Sequence, residues 1–147
     1  ARLPGAEGLN SMVPGFGGEL PAADPRLREQ AQARAIVISS PGKPCCAGMD
    51  LGVFAGQQGE EDVELGRKQA RTRSTVKTLQ WTASALEKAR MPVLMAMQGG
   101  VIGGAVDLAT AADLRYCSAD AFFVVAELNI GMTADIGTLQ RLGKGTP

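Results

Sequence analysis

The stretch from Val93 to Ala112 is the longest mostly apolar segment of the chain, and it limits the folds that the chain can adopt. It contains Gln98, Asp107 and the glycine pairs Gly99-Gly100 and Gly103-Gly104. A membrane-spanning helix would avoid both a charge in its middle and this density of glycine. We therefore predict that the segment is buried core, in which a strand leads through a glycine-rich turn into a helix that carries Asp107.

The rest of the chain alternates short β-branched runs with segments of helical periodicity, which predicts an α/β fold in one domain over residues 1–147. The predicted strands are 35–38, Val93–Met97, Leu114–Cys117 and Phe122–Val125. The predicted helices run from about Gln69 to Arg90 (before Pro92), from the glycine-rich turn to about Ala112, and near Thr138–Leu142. The polar segment 56–66 is predicted to be a mobile loop.

Composition excludes several classes of protein. Of the 147 residues, 45% are apolar and 20% are charged, with a net charge of zero, which is typical of a soluble globular protein. Without a basic excess we expect no binding to nucleic acid, and without an apolar span we expect no membrane association. Only Arg2 is basic near the start and no apolar run follows it, so no signal peptide is expected.

Histidine is absent, and this excludes Ser-His-Asp and Cys-His catalysis and any His-ligated metal site. The three cysteines, Cys45, Cys46 and Cys117, give neither an even disulfide framework nor a CxxC metal spacing. A reducing compartment and no metal are the expectations. If the chain performs acid–base chemistry, carboxylates are the natural carriers.

Three carboxylates are candidates for such chemistry. Asp107 has Val106 and Leu108 as neighbours, and a carboxylate in such surroundings is costly unless it is hydrogen-bonded or paired. Glu127 follows an apolar strand, and Asp135 lies eight residues further on. Asp107 could equally be a structural residue that caps a turn, and Glu127 and Asp135 could be surface-loop or helix-capping residues.

Two glycine-rich patterns resemble nucleotide-binding motifs only superficially. The run from Gly99 to Gly104 opens a helix and could face an anion, but it lacks the GxGxxG spacing. Gly143-Lys144 would need a glycine at Thr138 and a hydroxyl at Gly145 to form a P-loop. Neither nucleotide site is predicted.

Several motifs, in order and at matching separations, resemble the crotonase (enoyl-CoA hydratase/isomerase) family. They are Ala47–Leu51 (AGMDL), Gly103–Leu108 (GGAVDL), Ala112–Tyr116 (ADLRY) and Glu127–Leu142 (ELNIGMTADIGTLQRL). The resemblance covers about residues 34 to 142. It implies a spiral of ββα turns that binds an acyl-CoA thioester, with coenzyme A as part of the substrate and no separate cofactor.

The resemblance also assigns expected roles to residues around the thioester. The backbone N–H groups of Met49 and Gly104 would form the oxyanion hole, where fixed donors stabilise enolate charge. Ala47, Asp50 and Gly103 would line the substrate site. Lys43 would either reach a phosphate of coenzyme A or remain a solvated loop residue.

Within the family, the acidic residues separate the activities. Hydratases carry two glutamates at the positions of Asp107 and Glu127, and usually a glycine at the position of Asp135. The Asp/Glu/Asp set of this chain resembles the 3,5-dienoyl-CoA to 2,4-dienoyl-CoA isomerases. That resemblance implies that Asp135 takes the proton from C2, Glu127 delivers one to C6, and Asp107 tunes Glu127.

Alternatives to the isomerase are an enoyl-CoA hydratase and a non-catalytic chain that binds acyl-CoA. Family members continue with helices that close the acyl pocket and form trimers or hexamers, so the resemblance implies truncation at Pro147. It also implies a mitochondrial or peroxisomal location. The first family helix is expected to be interrupted here by two glycines and two prolines, Gly17, Gly18, Pro21 and Pro25.

Overall fold

The computed structural model describes residues 9–13, 16, 20, 33–52 and 63–145. Its strands are β1 (Ile36–Ile38), β2 (Val93–Met97), β3 (Gly100–Ile102), β4 (Leu114–Cys117) and β5 (Phe122–Val124). Its α-helices are α1 (Leu65–Glu87), α2 (Gly104–Ala111) and α3 (Thr138–Gly145), and a 3₁₀ helix spans Ala126–Ile130.

The chain passes twice through the same strand–strand–helix sequence, after a first pass in which a bridge replaces the second strand. The second pass is β2, β3 and α2, and the third is β4, β5 and α3, reached through the 3₁₀ helix. In the first pass β1 leads to Cys46, which forms a parallel bridge with Val101 of β3, and then to α1. The second and third passes therefore add one strand to each of two parallel sheets, and the first adds a strand to one sheet and a bridge to the other, which agrees with the predicted spiral of ββα turns.

The two sheets have the orders β1-β2-β4 and β3-β5, and all their pairings are parallel. Ile36 pairs with Val93, and Leu94 pairs with Leu114, so successive passes stay in register. The buried residues of β1 and β2 alternate with less buried ones, and α2, which packs against α1, α3 and β3, is buried over almost its whole length. The predicted burial of the segment Val93–Ala112 is confirmed.

Helix α1 begins four residues earlier than predicted and ends at Glu87 rather than Arg90. The carboxylate of Glu64 accepts hydrogen bonds from the N–H groups of Gly66 (2.9 Å) and Arg67 (3.1 Å). This cap satisfies two donors that a helix start leaves free, so the helix can include Gly66 despite its low helix propensity. The prediction of a loop over residues 56–66 is therefore wrong for Leu65 and Gly66, which belong to α1.

Strand β3 was not predicted, because its three residues lie inside the glycine-rich turn. Gly99 and Gly103 have positive φ angles of 58° and 54°, and the chain between them is extended. The prediction of strands near 114–117 and 122–125 is confirmed, although the second ends at Val124. Their side chains are largely exposed, as in Tyr116 (60%) and Phe122 (53%), because both strands lie at the edge of their sheets.

Some expectations fall outside the described residues. The interrupted first helix involves Gly17, Gly18, Pro21 and Pro25, none of which is described, and most of the loop 56–66 is also outside. Among the described helices, none is long and apolar enough to cross a membrane.

The burial of α2 leads to a prediction about the free energy of unfolding. Leu108 is 1% exposed, whereas Leu65 at the start of α1 is 66% exposed. Replacing Leu108 by Ala should lower the free energy of unfolding by about 2–5 kcal/mol, because it removes buried methyl groups and leaves a cavity. The matched control Leu65→Ala should change it by less than about 0.5 kcal/mol. Urea unfolding measures both, and equal losses would contradict the described packing.

Candidate active site

A cavity of about 530 Å³ lies between α1, the start of α2 and the segment from the 3₁₀ helix to α3. Its walls are mostly apolar. They comprise Met49, Leu51, Thr72, Thr75, Val76, Leu79, Gly103, Gly104, Ala126, Glu127, Asn129, Ile130, Met132, Thr133, Asp135 and Ile136. Five predicted site residues therefore share one cavity: Met49, Gly103, Gly104, Glu127 and Asp135.

The turn into α2 brings backbone donors to the cavity. A Cβ on Gly104 would lie 2.2 Å from Cε of Met12, the flexible end of that side chain, so a larger residue here would displace the end of Met12. Met12 in turn pairs with the segment around Met49: its N–H donates to the Gly48 carbonyl (2.8 Å) and its carbonyl accepts from Asp50 (3.0 Å). Gly104 therefore packs against the end of the Met12 side chain, where the two chain segments meet.

The N–H groups of Met49 and Gly104 remain available. The N–H of Gly104 lies at the start of α2, where helices leave donors without an intrahelical acceptor. Neither N–H donates a hydrogen bond to any residue that the structure describes. Two free donors beside an apolar cavity can stabilise a negative oxygen there.

Glu127 enters the cavity from the 3₁₀ helix. Its side chain is half-buried, and its Oε2 atom is buried with no hydrogen-bond partner among the described residues. A Cβ on Gly103 would lie 3.2 Å from Oε1 of Glu127, so the turn and the carboxyl group are in close contact. Burial raises the pKa of Glu127, and the negative charges of Asp107 and Asp135 raise it further.

Asp107 lies behind the cavity, fully buried on α2. Its Oδ1 atom accepts hydrogen bonds from the N–H (2.7 Å) and the hydroxyl (2.8 Å) of Thr138. The prediction that this carboxylate is buried and hydrogen-bonded is confirmed, and the residue that donates to it, Thr138, is the first residue of α3. Burial raises the pKa of Asp107, against the lowering effect of the Thr138 hydrogen bonds and the charge of Arg141.

Asp135 is exposed at the cavity wall, on the segment just before α3. Its carbonyl accepts a hydrogen bond from the side chain of Gln80 on α1 (3.1 Å). The next residue, Ile136, offers its carbonyl to Arg141 (3.3 Å), whose guanidinium also contacts Glu87 of α1 (2.8 Å). Helix α1 therefore fixes the backbone that presents the Asp135 carboxylate.

Three other predicted residues lie apart from this cavity. Ala47 and Asp50 are not among its described lining residues; Asp50 instead accepts a hydrogen bond from the N–H of Gly52 (2.8 Å). Lys43 forms an ion pair with Asp120 at the surface. Within the described part of the chain, no cluster of His, Cys, Asp and Glu side chains could hold a metal ion.

Several site residues were missed by sequence reasoning. Val76 and Leu79 of α1 line the cavity, and the sequence assigned them no role in the site. Thr138, Gln80 and Arg141 were also missed, because their contacts join segments that are distant in sequence. The one available signal was the position of Thr138 at a predicted helix start, where threonine is a common cap.

The arrangement suits proton transfer at a carbon next to a carbonyl group. Two free N–H donors can hold an enolate oxygen, and carboxylates of different exposure lie on the walls of the same apolar cavity. Carboxylates with different environments can act as acid and base at one pH.

Comparison with known proteins identifies the family. The profile described as Enoyl-CoA hydratase/isomerase matches residues 2–147. The chain belongs to this family, the crotonases. Solved structures agree: it superposes on an enoyl-CoA hydratase from Polaromonas sp. JS666 with a TM-score of 0.81, at 22% identity over 99% of this chain and 54% of that one. An enoyl-CoA hydratase from Bacillus anthracis gives 0.79 at 26% identity, over 97% and 52%.

Among curated crotonase relatives, several are named dienoyl-CoA isomerases. The peroxisomal Delta(3,5)-Delta(2,4)-dienoyl-CoA isomerase of Arabidopsis thaliana is 40% identical over 136 residues, which are 91% of this chain and 49% of that protein. The mitochondrial human enzyme of the same name is 42% identical over 137 residues, 92% of this chain and 42% of that protein. The chain spans about half the length of these relatives.

The raised pKa of Asp107 predicts how stability depends on pH. Because the folded state binds this proton more tightly than the unfolded state, Asp107 contributes stability below its ordinary pKa of 3.8. That contribution is lost as the pH rises through the higher folded-state pKa. The difference in unfolding free energy, wild type minus Asp107→Asn, should therefore fall with pH, with a slope of at most about 1.4 kcal/mol per unit.

Asp120→Asn is the matched control of opposite sign. Lys43 and Ser118 lower the pKa of Asp120 from 3.8 to about 2, so the stability it contributes is lost progressively as the pH falls between these two values. Urea unfolding of the three proteins between pH 2 and pH 8 measures both differences. A difference for Asp107→Asn that rises with pH would contradict the described burial.

Proposed function

We propose that this chain carries the catalytic site of an isomerase that converts 3,5-dienoyl-CoA to 2,4-dienoyl-CoA. The observation that carries the proposal is the meeting of Glu127 and Asp135 at one apolar cavity, with Asp107 buried behind them. The relatives that are 40% and 42% identical and named as this isomerase support it.

Substrate binding would begin with the thioester carbonyl. Its oxygen would accept hydrogen bonds from the N–H groups of Met49 and Gly104, and the acyl chain would lie along the apolar wall of α1. When a proton leaves C2, charge moves onto this oxygen, and the fixed donors stabilise it without reorganisation. The base and the oxyanion hole would thus act on the same dienolate.

The reaction would then need one proton removed and one delivered. The Asp135 carboxylate takes a proton from C2, and the electron pair spreads over the carbonyl oxygen and the conjugated carbons out to C6. The Glu127 carboxyl group delivers a proton to C6. Double bonds thereby form at C2–C3 and C4–C5, and atoms and charge balance.

The environments of the two carboxyl groups suit these roles. Glu127 is half-buried, and burial together with two nearby negative charges raises its pKa, so it can hold the proton that it delivers. Asp135 is exposed and can return its proton to water after each turnover. The different surroundings of the two residues would separate acid from base.

Assembly and location follow the family expectation and stay predictions for this chain. Two relatives are named peroxisomal and mitochondrial, which favours one of these organelles. A homotrimer or homohexamer and the absence of a separate cofactor are proposed on the same family grounds.

An enoyl-CoA hydratase is the second candidate, because two of the matching solved structures are named enoyl-CoA hydratases. The cavity position of Asp135 argues against it, since family hydratases usually have glycine there. A hydratase would add water to 2-enoyl-CoA and remove conjugation, whereas the isomerase would create conjugation.

An ultraviolet assay tests the proposal. With 3,5-dienoyl-CoA as substrate, the wild-type protein should produce the stronger absorbance of a conjugated 2,4-dienoyl thioester, and Glu127→Gln should lower the rate by a factor of at least about 100. Circular dichroism should show that this variant is folded, because Gln keeps the size of the side chain.

The same protein should leave 2-enoyl-CoA nearly unchanged. Rapid loss of 2-enoyl-CoA absorbance without any isomerisation would favour the hydratase. Tight binding of both thioesters without a spectral change in either would instead favour the non-catalytic alternative. Wild-type rates in Glu127→Gln would contradict the assigned acid.

A further inference from the structure

The hydrogen bonds of Asp107 are unevenly divided between its two oxygens. Oδ1 accepts from both the N–H (2.7 Å) and the hydroxyl (2.8 Å) of Thr138, which is itself 2% exposed. Oδ2 is buried without a partner among the described residues. Donors directed at a carboxylate stabilise its charged form, so Thr138 opposes the cost of burying that charge.

The other charged groups near Asp107 come from three elements. Arg141 of α3 is 7% exposed, but its guanidinium is bound to Glu87 of α1 at 3.0 and 2.8 Å. Glu127 on the 3₁₀ helix and Asp135 before α3 are both negative when ionised. Thr138 therefore supplies the only direct hydrogen bonds to the Asp107 carboxylate within the described chain.

The Asp107 and Glu127 carboxyl groups influence each other through their charges. Each has a buried carboxyl oxygen without a described partner, and the charge of Asp107 is one of the causes that raise the pKa of Glu127. Two such groups titrate as a pair, and a single proton rests on the carboxyl whose charged form is less stabilised. The Asp107 carboxylate has two donors from Thr138, whereas the Glu127 carboxylate has the backbone N–H of its own residue.

We propose that Thr138 is a positioning residue that keeps Asp107 charged and thereby keeps the transferable proton on Glu127. This rests on the proposed isomerase function, in which Glu127 must deliver a proton to C6. Thr138 is not one of the described residues that line the substrate cavity, so it acts through Asp107.

The test compares Thr138→Val with Thr138→Ser. Valine has nearly the shape of threonine but removes the hydroxyl, and the backbone N–H still donates to Asp107. In Thr138→Val more of the shared proton should rest on Asp107, so kcat should fall about tenfold over the pH plateau, with KM unchanged. Serine restores the donor, and Thr138→Ser should stay within about twofold of the wild-type kcat.

The pH profile separates this role from simple damage to the fold. With one donor lost, the state in which both carboxyls are charged becomes less stable, so the pair releases its last proton at higher pH. The alkaline limb of kcat should therefore move upward in Thr138→Val. In Asp107→Asn, where Glu127 loses its charged neighbour, the same limb should move downward.

A ¹³C NMR titration of the Asp107 carboxyl, assigned with Asp107→Asn, measures the proton directly and needs no turnover. The pKa of Asp107 should be higher in Thr138→Val than in the wild type or Thr138→Ser. An unchanged titration, or an alkaline limb that stays in place or moves downward, would overturn the proposal. Absence of isomerisation by the wild type would instead defeat the proposed function, and the titration would still decide the role of Thr138.

Discussion

The buried carboxylate of Asp107 is the constraint on which the rest of the site depends. A charge enclosed on α2 is costly unless donors meet it, and here the first residue of α3 provides two hydrogen bonds. The same contact fixes the start of α3 and thereby the preceding segment with Asp135. The hydrogen bonds that stabilise the buried Asp107 carboxylate therefore also position the segment that carries Asp135 at the cavity. The charge of Asp107 in turn raises the pKa of Glu127.

Much of the fold could be predicted because its signals are local. The β-branched run of β1, the strand that follows Pro92 and the glycine pair before α2 each identify an element by themselves. Strand β3 could not be predicted in this way. It has three residues and begins with glycine, and it exists because Cys46 and β5 pair with it from distant parts of the chain. The exposure of β4 and β5 likewise depends on what packs against them.

The candidate site likewise contains residues that local sequence signals could predict and residues that they could not. The apolar neighbours of Asp107 were sufficient to predict its burial, and the family resemblance led to Met49, Gly104, Glu127 and Asp135, which the structure brings to one cavity. Residue spacing alone could not show that they meet. Thr138 carried no functional signal, since its importance comes from a contact that joins residues 31 positions apart. Such contacts are properties of the packing between helices.

The central claim is that two carboxyl groups act at opposite ends of one dienolate, and isotope exchange in D₂O tests it most directly. Proton NMR of 3,5-dienoyl-CoA and its product would locate the deuterium. With Glu127→Gln, the account predicts continued exchange at C2 of the unreacted substrate without deuterium at C6. With Asp135→Asn, it predicts that exchange is lost at both carbons. Loss of C2 exchange in Glu127→Gln together with its retention in Asp135→Asn would contradict the assigned roles.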